Sequence, residues 1–397
     1  MDGVPREVPE TEVRGRILRL QERLRAEGID AALYLQNVDR YYLSGTMQDG
    51  CVVVPAEGDP VALVRRDPDR AAREGSLRVE PLPGFRALPD MVARALGRAP
   101  GRLGMELDVL PVAQYRRLAS LFPGAEIVDG AAPLVRVRSV KSPWEHGQIR
   151  AAARVVAEAV DALPGLLGPG TTEIELSARM EHELRVRGHG GLIRMRGFNQ
   201  EIFFGHVMAG ESAAEPSFLD APTGGRGLGP ALAQGPSFRE IRPGEHVVVD
   251  LVGNHQGYLS DQTRMFCLGP PGPRLRQAFE AALGIADAVV AEARPGVPAG
   301  RLYEIALEEA SRTPFADAFL GSGRKVSFVG HGIGLEVDEP PFIARGVEMP
   351  LEEGMVFALE PKFVIPGFGV VGIEDTYRVT ADGLERLTPS PRELRTA

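Results

Sequence analysis

Two aspartates lie inside stretches that otherwise have the composition of buried strands: Asp250 in HVVVDLVG and Asp261 in GYLSDQTRMFCLG, with Gly253 and Gly257 between them. Apolar runs punctuated by glycine read as a hairpin. The two acids are therefore predicted to face each other across one pair of strands. An unpaired carboxylate is costly to bury, and metal ions are the natural compensation. Three more residues fit the same purpose: His331 in FVGHGIGLEVDEPP, Glu360 in MVFALEPKF and Glu374 in VVGIEDTYRV. His331 lies between Gly330 and Gly332, which allow close backbone approach. Four carboxylates and one imidazole make a donor set for two divalent cations. Such oxygen-rich ligation favours Mn²⁺, with Fe²⁺, Co²⁺ and Zn²⁺ also admitted. Two ions of this kind activate water and polarise a substrate oxygen.

At 397 residues the chain exceeds the usual size of one hydrophobic core, which predicts two domains. The formal charge of -9 leaves no basic footprint for nucleic acid. No apolar stretch is long enough to span a membrane, and the N-terminal MDGVPREVPETEVRGR has no apolar signal core. Cys51 and Cys267 are far apart and suggest no disulfide framework. A cytoplasmic protein is the expectation. Lysine occurs only at Lys141, Lys325 and Lys362, against abundant arginine, and this reads as compositional bias rather than function.

Residues 1–10 read as a loose tail. A helix then recurs on Val13, Ile17, Leu20 and Leu24 and ends at Gly28. Strands are predicted over 30–36, 51–55, 61–66 and 101–107, interleaved with a helix over 111–122, which gives an α/β N-terminal domain. Pro143 opens a helix running to about Leu163, and Thr172 with Glu175 fits a capping box opening the next. A Gly/Pro-rich segment spans about 205–245. After the hairpin come helices over roughly 273–293 and 300–319, then strand-like SFVGHGIG, MVFALEPKFV and GVVGIEDTYRV. This order predicts an α+β C-terminal domain, a curved antiparallel sheet with helices outside and the ligands on its concave face. The domains are placed at 1–140 and 141–397.

In order and spacing, DLVGNHQGYLSDQTR, GHGIGLEVDEPP, ALEPKF and GIEDTYRVT resemble the metal motifs of the Xaa-Pro aminopeptidase/prolidase family. RILRLQERLRAEGIDAALY and RYYLSG resemble that family's creatinase-like N-terminal domain, and RSVKSPWEHGQIRAAARV its linker. The resemblance implies a creatinase-like domain followed by a pita-bread catalytic domain. Asp250 would chelate one metal, Asp261 and Glu374 would bridge the pair, and His331 and Glu360 would hold the second. It also implies Glu360 as proton acceptor, a small peptide substrate and a homodimer. Three positions depart from the pattern. Asp338 and Ala233 stand where histidines are usual, and Gly372 where an arginine is usual. His206 and Asp338 are the candidate replacements in proton transfer, and Arg194 and Arg196 the candidate binders of a substrate carboxylate. The expected activity is hydrolysis of peptides or peptide-like amides, including Xaa-Pro bonds. The rivals are a C–N hydrolase or C–S lyase acting on a small zwitterion, and a binding protein that has lost catalysis.

Overall fold

The computed structural model describes residues 7–397. Most of the predicted tail therefore lies outside the described residues, and Val8 within it is buried. One compact unit runs to Arg138 and includes Gly197–Asn199; the other comprises Ser139–Arg196 and Gln200–Ala397.

The first unit opens with α1 (Glu10–Ala26), whose Val13, Ile17, Leu20 and Leu24 form a buried stripe at helical spacing. There follow β1 (Ala31–Tyr34), α2 (Asn37–Ser44), β2 (Gly50–Pro55), β3 (Val61–Val64), α3 (Pro68–Glu74), β4 (Arg78–Pro81), α4 (Leu88–Leu96), β5 (Arg102–Met105), α5 (Val112–Ala119), β6 (Glu126–Asp129) and α6 (Ala131–Ser139). The strands make one mixed sheet in the order β4-β3-β2-β1-β5-β6. The strands predicted at 30–36, 61–66 and 101–107 are each shortened to four residues. Helices α2 to α4 were not legible, because their apolar residues do not recur over enough turns to stand out.

In the second unit, α7 (Pro143–Ala162) begins with a full capping box between Ser142 and Glu145, and α8 (Glu173–Val186) with one between Thr172 and Glu175. The Gly/Pro-rich segment is not wholly irregular. It opens as β7 (Gly205–Ala209), which pairs antiparallel with β8 (His246–His255). β8 turns at Gln256 and Gly257, both at positive φ, into β9 (Tyr258–Cys267). Gly253 is not part of that turn. It lies inside β8, where a Cβ would come 2.2 Å from the Ala152 carbonyl oxygen, so its role is to let α7 press against the hairpin.

Helix α9 (Pro273–Glu292) matches the prediction, but α10 (Ala299–Ser311) stops well short of residue 319. Pro314 accounts for the shortening, since it cannot donate within a helix. β10 (Phe328–Ile333), β11 (Val337–Ala344), β12 (Val356–Leu359), β13 (Lys362–Ile365), β14 (Gly369–Gly372) and β15 (Asp375–Thr380) follow. The predicted run MVFALEPKFV is two strands, broken at Glu360 and Pro361. GVVGIEDTYRV is likewise broken at Ile373 and Glu374. The curved sheet is correspondingly divided: β10, β11, β12 and β15 belong to one antiparallel sheet, β7, β8 and β9 to another, and β13 and β14 form a two-stranded ribbon. A single bridge between Thr263 and Glu374 joins the hairpin to the second break.

Candidate metal centre

Both breaks carry a candidate ligand. Glu360 follows β12, and its backbone N–H is held by the Val329 carbonyl at 2.9 Å. Glu374 precedes β15, with its N–H on the Thr263 carbonyl at 3.3 Å. His331 sits within β10, opposite Ala358 of β12. On the hairpin, Asp250 pairs with Thr263 and Asp261 with Val252. The two aspartates are thus diagonal neighbours on one face rather than directly opposed, still within reach of a common centre. All five side chains are buried.

Their donor atoms fall into two groups. Asp261 Oδ2, Glu360 Oε1 and Glu374 Oε1 lie 4.0, 3.8 and 4.0 Å from His331 Nε2. A divalent ion about 2 Å from each donor spans such separations; Asp261, His331 and Glu374, whose donor atoms all lie within 4.8 Å of one another, are the group that fits an ion, and Glu360 stands beside it. The second group surrounds a residue that sequence reasoning passed over. The Lys362 ammonium donates to Asp250 Oδ2 at 2.9 Å, Glu360 Oε2 at 2.7 Å and Glu374 Oε2 at 2.9 Å. Threonine hydroxyls complete this side, Thr223 on Asp250 Oδ2 at 3.1 Å and Thr263 on Glu374 Oε2 at 2.8 Å.

The crowding shows in the acid–base properties. Burial, with Glu374 and Asp250 nearby, pushes Asp261 well above the ordinary carboxylate range. Burial also drives Glu374 well above its ordinary value, although Lys362 opposes it. Burial alone would lower Lys362, but Asp250, Glu360 and Glu374 outweigh it and hold the ammonium well above an ordinary lysine. Asp250, with Lys362 against it, is lowered despite burial. A cluster of this kind calls for positive charge.

Asp338 sits in the left-handed region, at φ 63°, which aspartate tolerates better than most side chains. Its Oδ1 lies 3.4 Å from His331 Nδ1. The Gly332 carbonyl oxygen, 3.2 Å from the same nitrogen, is its hydrogen-bond partner and orients the ring, leaving Nε2 toward the carboxylates. His206 is opposite Asp250 in the β7–β8 register. Gln234 Nε2 lies 2.9 Å from His206 Nε2, whereas Nδ1 is buried without a hydrogen-bond partner. Burial lowers the His206 pKa, which favours the neutral ring. Ala233 is exposed, so its neighbour Gln234 and the imidazole from β7 furnish the polar groups there. Arg194 and Arg196 are not among the described residues lining the cavity; Met195 between them is, as alternation in an extended segment requires. Arg196 lies 3.6 Å from Glu336. His255 pairs with Gln148 at 2.9 Å, and His246 stacks on Phe368 at 4.7 Å, so both serve packing.

The cluster forms one wall of a cavity of about 450 Å³ that His206, Gln234 and Asp338 also line. The lining also includes the apolar Ile202, Leu219, Pro222, Phe328, Val337 and Phe342, with the Phe328 ring edge-on to His331. Residues 147–381 match metallopeptidase family M24. The chain belongs to that family. Residues 16–140 match the creatinase/prolidase N-terminal domain. The Xaa-Pro dipeptidase of Lactobacillus delbrueckii subsp. lactis is 31% identical over 292 residues, covering 73% of this chain and 71% of that protein. The Xaa-Pro dipeptidase of Pyrococcus furiosus is 29% identical over 383 residues, 96% of this chain and 99% of its own. Among solved structures, the prolidase from Pyrococcus horikoshii OT3 superposes with a TM-score of 0.80 at 26% identity, covering 96% and 99% of the two chains. The Xaa-Pro dipeptidase from Bacillus anthracis does so with a TM-score of 0.82 at 25% identity, covering 97% and 100%. The fold is accordingly a creatinase-like domain followed by a pita-bread catalytic domain, and this M24 chain is a metal-dependent hydrolase.

Proposed function

We propose that this M24 protein releases the N-terminal residue from small peptides with proline in second position. The observation that carries the reading is the convergence of His331, Asp261, Glu360 and Glu374 in a cavity that is otherwise lined largely by apolar side chains. An apolar surface of this kind suits a pyrrolidine ring, and polar groups on one side suit a peptide backbone. Support also comes from the relatives named Xaa-Pro dipeptidase.

A bound divalent ion supplies the Lewis acidity that polarises a carbonyl and makes water a nucleophile near neutral pH. Asp261, His331 and Glu374 would hold it, and manganese leads the candidates because carboxylate oxygens outnumber the single imidazole. Glu360 is the proton acceptor. Lys362 holds its Oε2, which leaves Oε1 to take the proton from the attacking water and pass it toward the leaving nitrogen. The Gly332 carbonyl keeps the His331 ring oriented, and the Asp338 carboxylate beside it is a further candidate for proton transfer. His206, which lines the cavity opposite Asp250, is assigned to proton transfer. The same reading keeps the cytoplasm as compartment, on the sequence features given above, and a homodimer as assembly, on the family resemblance.

The test is a substrate panel with Mn²⁺-loaded protein: Ala-Pro, Ala-Pro-Ala, Ala-Ala and creatine. Release of alanine from the proline peptides, with little from Ala-Ala, is the expected result. Consumption of the small zwitterion without turnover of any proline peptide would overturn the reading. Asp338, Ala233 and Gly372 are the departures from which such a change of reaction would start.

A further inference from the structure

Lys362 is entirely buried, and it sits on the β13–β14 ribbon directly opposite Gly372. A Cβ at Gly372 would come 2.5 Å from Lys362 Cγ, so the absence of a side chain there makes the room through which the lysine reaches the carboxylates. Its ammonium then takes one oxygen from each of Asp250, Glu360 and Glu374. Glu360 and Glu374 therefore each span two positive positions. Their Oε1 atoms turn to the His331 side and their Oε2 atoms to Lys362. An ion reaching Asp250 Oδ2 and Glu374 Oε2 at bonding distance, about 2 Å, would fall in the space the nitrogen fills. The donor set thus fits one divalent ion beside His331, and does not fit a second beside Asp250.

We propose that the Lys362 ammonium stands in place of one of the two cations anticipated from the ligand motifs, so that this chain binds a single divalent ion. The inference rests on the metallohydrolase reading and narrows it. Asp250 then acts as the counter-ion that positions Lys362, rather than as a metal ligand. A fixed monovalent charge replaces an exchangeable divalent one, and Glu360 is held by a covalently tethered partner.

The experiment is a metal count on purified protein. Wild type and Lys362→Ala are saturated with Mn²⁺, freed of excess ion by desalting, and assayed for manganese per chain by mass spectrometry. Manganese is then located in wild-type crystals by anomalous scattering. The expected result is one ion per wild-type chain, at Asp261, His331 and Glu374, and two ions in Lys362→Ala. Two ions in wild type, or an anomalous peak against Asp250, overturns the inference and leaves the hydrolase reading intact. One ion in both proteins overturns the assignment of the lysine as the excluding group. No ion in wild type sinks both readings. Should Lys362→Ala fail to fold, the wild-type count and peak position decide alone.

Discussion

Glu173 fastens the catalytic unit around its irregular segment, and its removal has a cost that can be worked from the contacts. It is the first residue of α8 and has no accessible surface. Oε1 accepts the Ala209 N–H at 2.9 Å and the Ser212 hydroxyl, and Oε2 accepts the Ser237 N–H at 2.9 Å and the Ser237 hydroxyl at 2.6 Å. The carboxylate thereby ties the end of β7 to the chain approaching β8. In Glu173→Ala the Ser212 hydroxyl keeps the Ala209 carbonyl, 2.9 Å away. The buried N–H groups of Ala209 and Ser237 and the Ser237 hydroxyl lose their acceptor. Each orphaned donor costs about 1–3 kcal/mol, so the variant should lose about 3–9 kcal/mol. Glu173→Gln should recover only part of this, because its NH₂ must face one of the two N–H donors. The assay is urea unfolding followed by the fluorescence of Trp144, the only tryptophan, which lies in the catalytic unit. A loss below about 1 kcal/mol in Glu173→Ala would refute the reasoning, since that is the range of a solvated hydrogen bond.

Three further outcomes follow from buried groups. Arg138 Nη1 meets Asp39 Oδ1 at 2.7 Å with both side chains buried, so Arg138→Met should destabilise the N-terminal unit by about 3–5 kcal/mol in circular-dichroism melts; a loss within error would contradict the pairing. Gly253→Ala should cost about 1–3 kcal/mol through overpacking against α7, and wild-type stability in that variant would show that the contact yields freely. Burial holds His146, His189 and His246 at about 4, below the ordinary 6.5. Their folded forms refuse protons that the unfolded chain accepts. Their contribution is therefore complete above the unfolded value, and is lost as pH falls from about 6.5 toward 4, at up to about 1.4 kcal/mol per pH unit for each proton. Urea midpoints measured across that range should fall, and should fall less steeply in His246→Phe; an unchanged slope would count against His246.

The parts of the molecule that could be read from sequence are those governed by local rules. Helix α1 declares its buried face by spacing, α7 by the proline in its first turn, α8 by its capping box, and the hairpin by its apolar runs around Gln256 and Gly257. The acids stood out because carboxylates are rare inside apolar strands. Lys362 carried the same signal, in the apolar run after Glu360, yet its meaning depends on partners brought from β8 and from the break before β15, more than a hundred residues away in one direction and twelve in the other. The offset between Asp250 and Asp261 was hidden for a related reason. Which residue ends β8 decides the register, and Gly253 had two roles open to it, turn or close packing. His206 could be singled out as an imidazole in the right half of the chain, but only the pairing of β7 with β8 sets it opposite Asp250. Arg194 and Arg196 illustrate the converse: charge suggested binding, while alternation turned Met195 to the cavity.

The central claim is that the wall built by Asp261, His331, Glu360 and Glu374 is a metal centre for peptide hydrolysis, and metal withdrawal tests it most directly. Ala-Pro cleavage would be followed for wild type and Asp261→Ala after dialysis against a chelator and again after stepwise return of Mn²⁺. The account predicts that chelated wild type is inactive, that activity returns as the ion binds, and that folded Asp261→Ala recovers less than about 1% at any concentration, the scale of loss expected when metal-centred stabilisation of several kcal/mol is removed. Full activity in chelated wild type, or in Asp261→Ala, would contradict it.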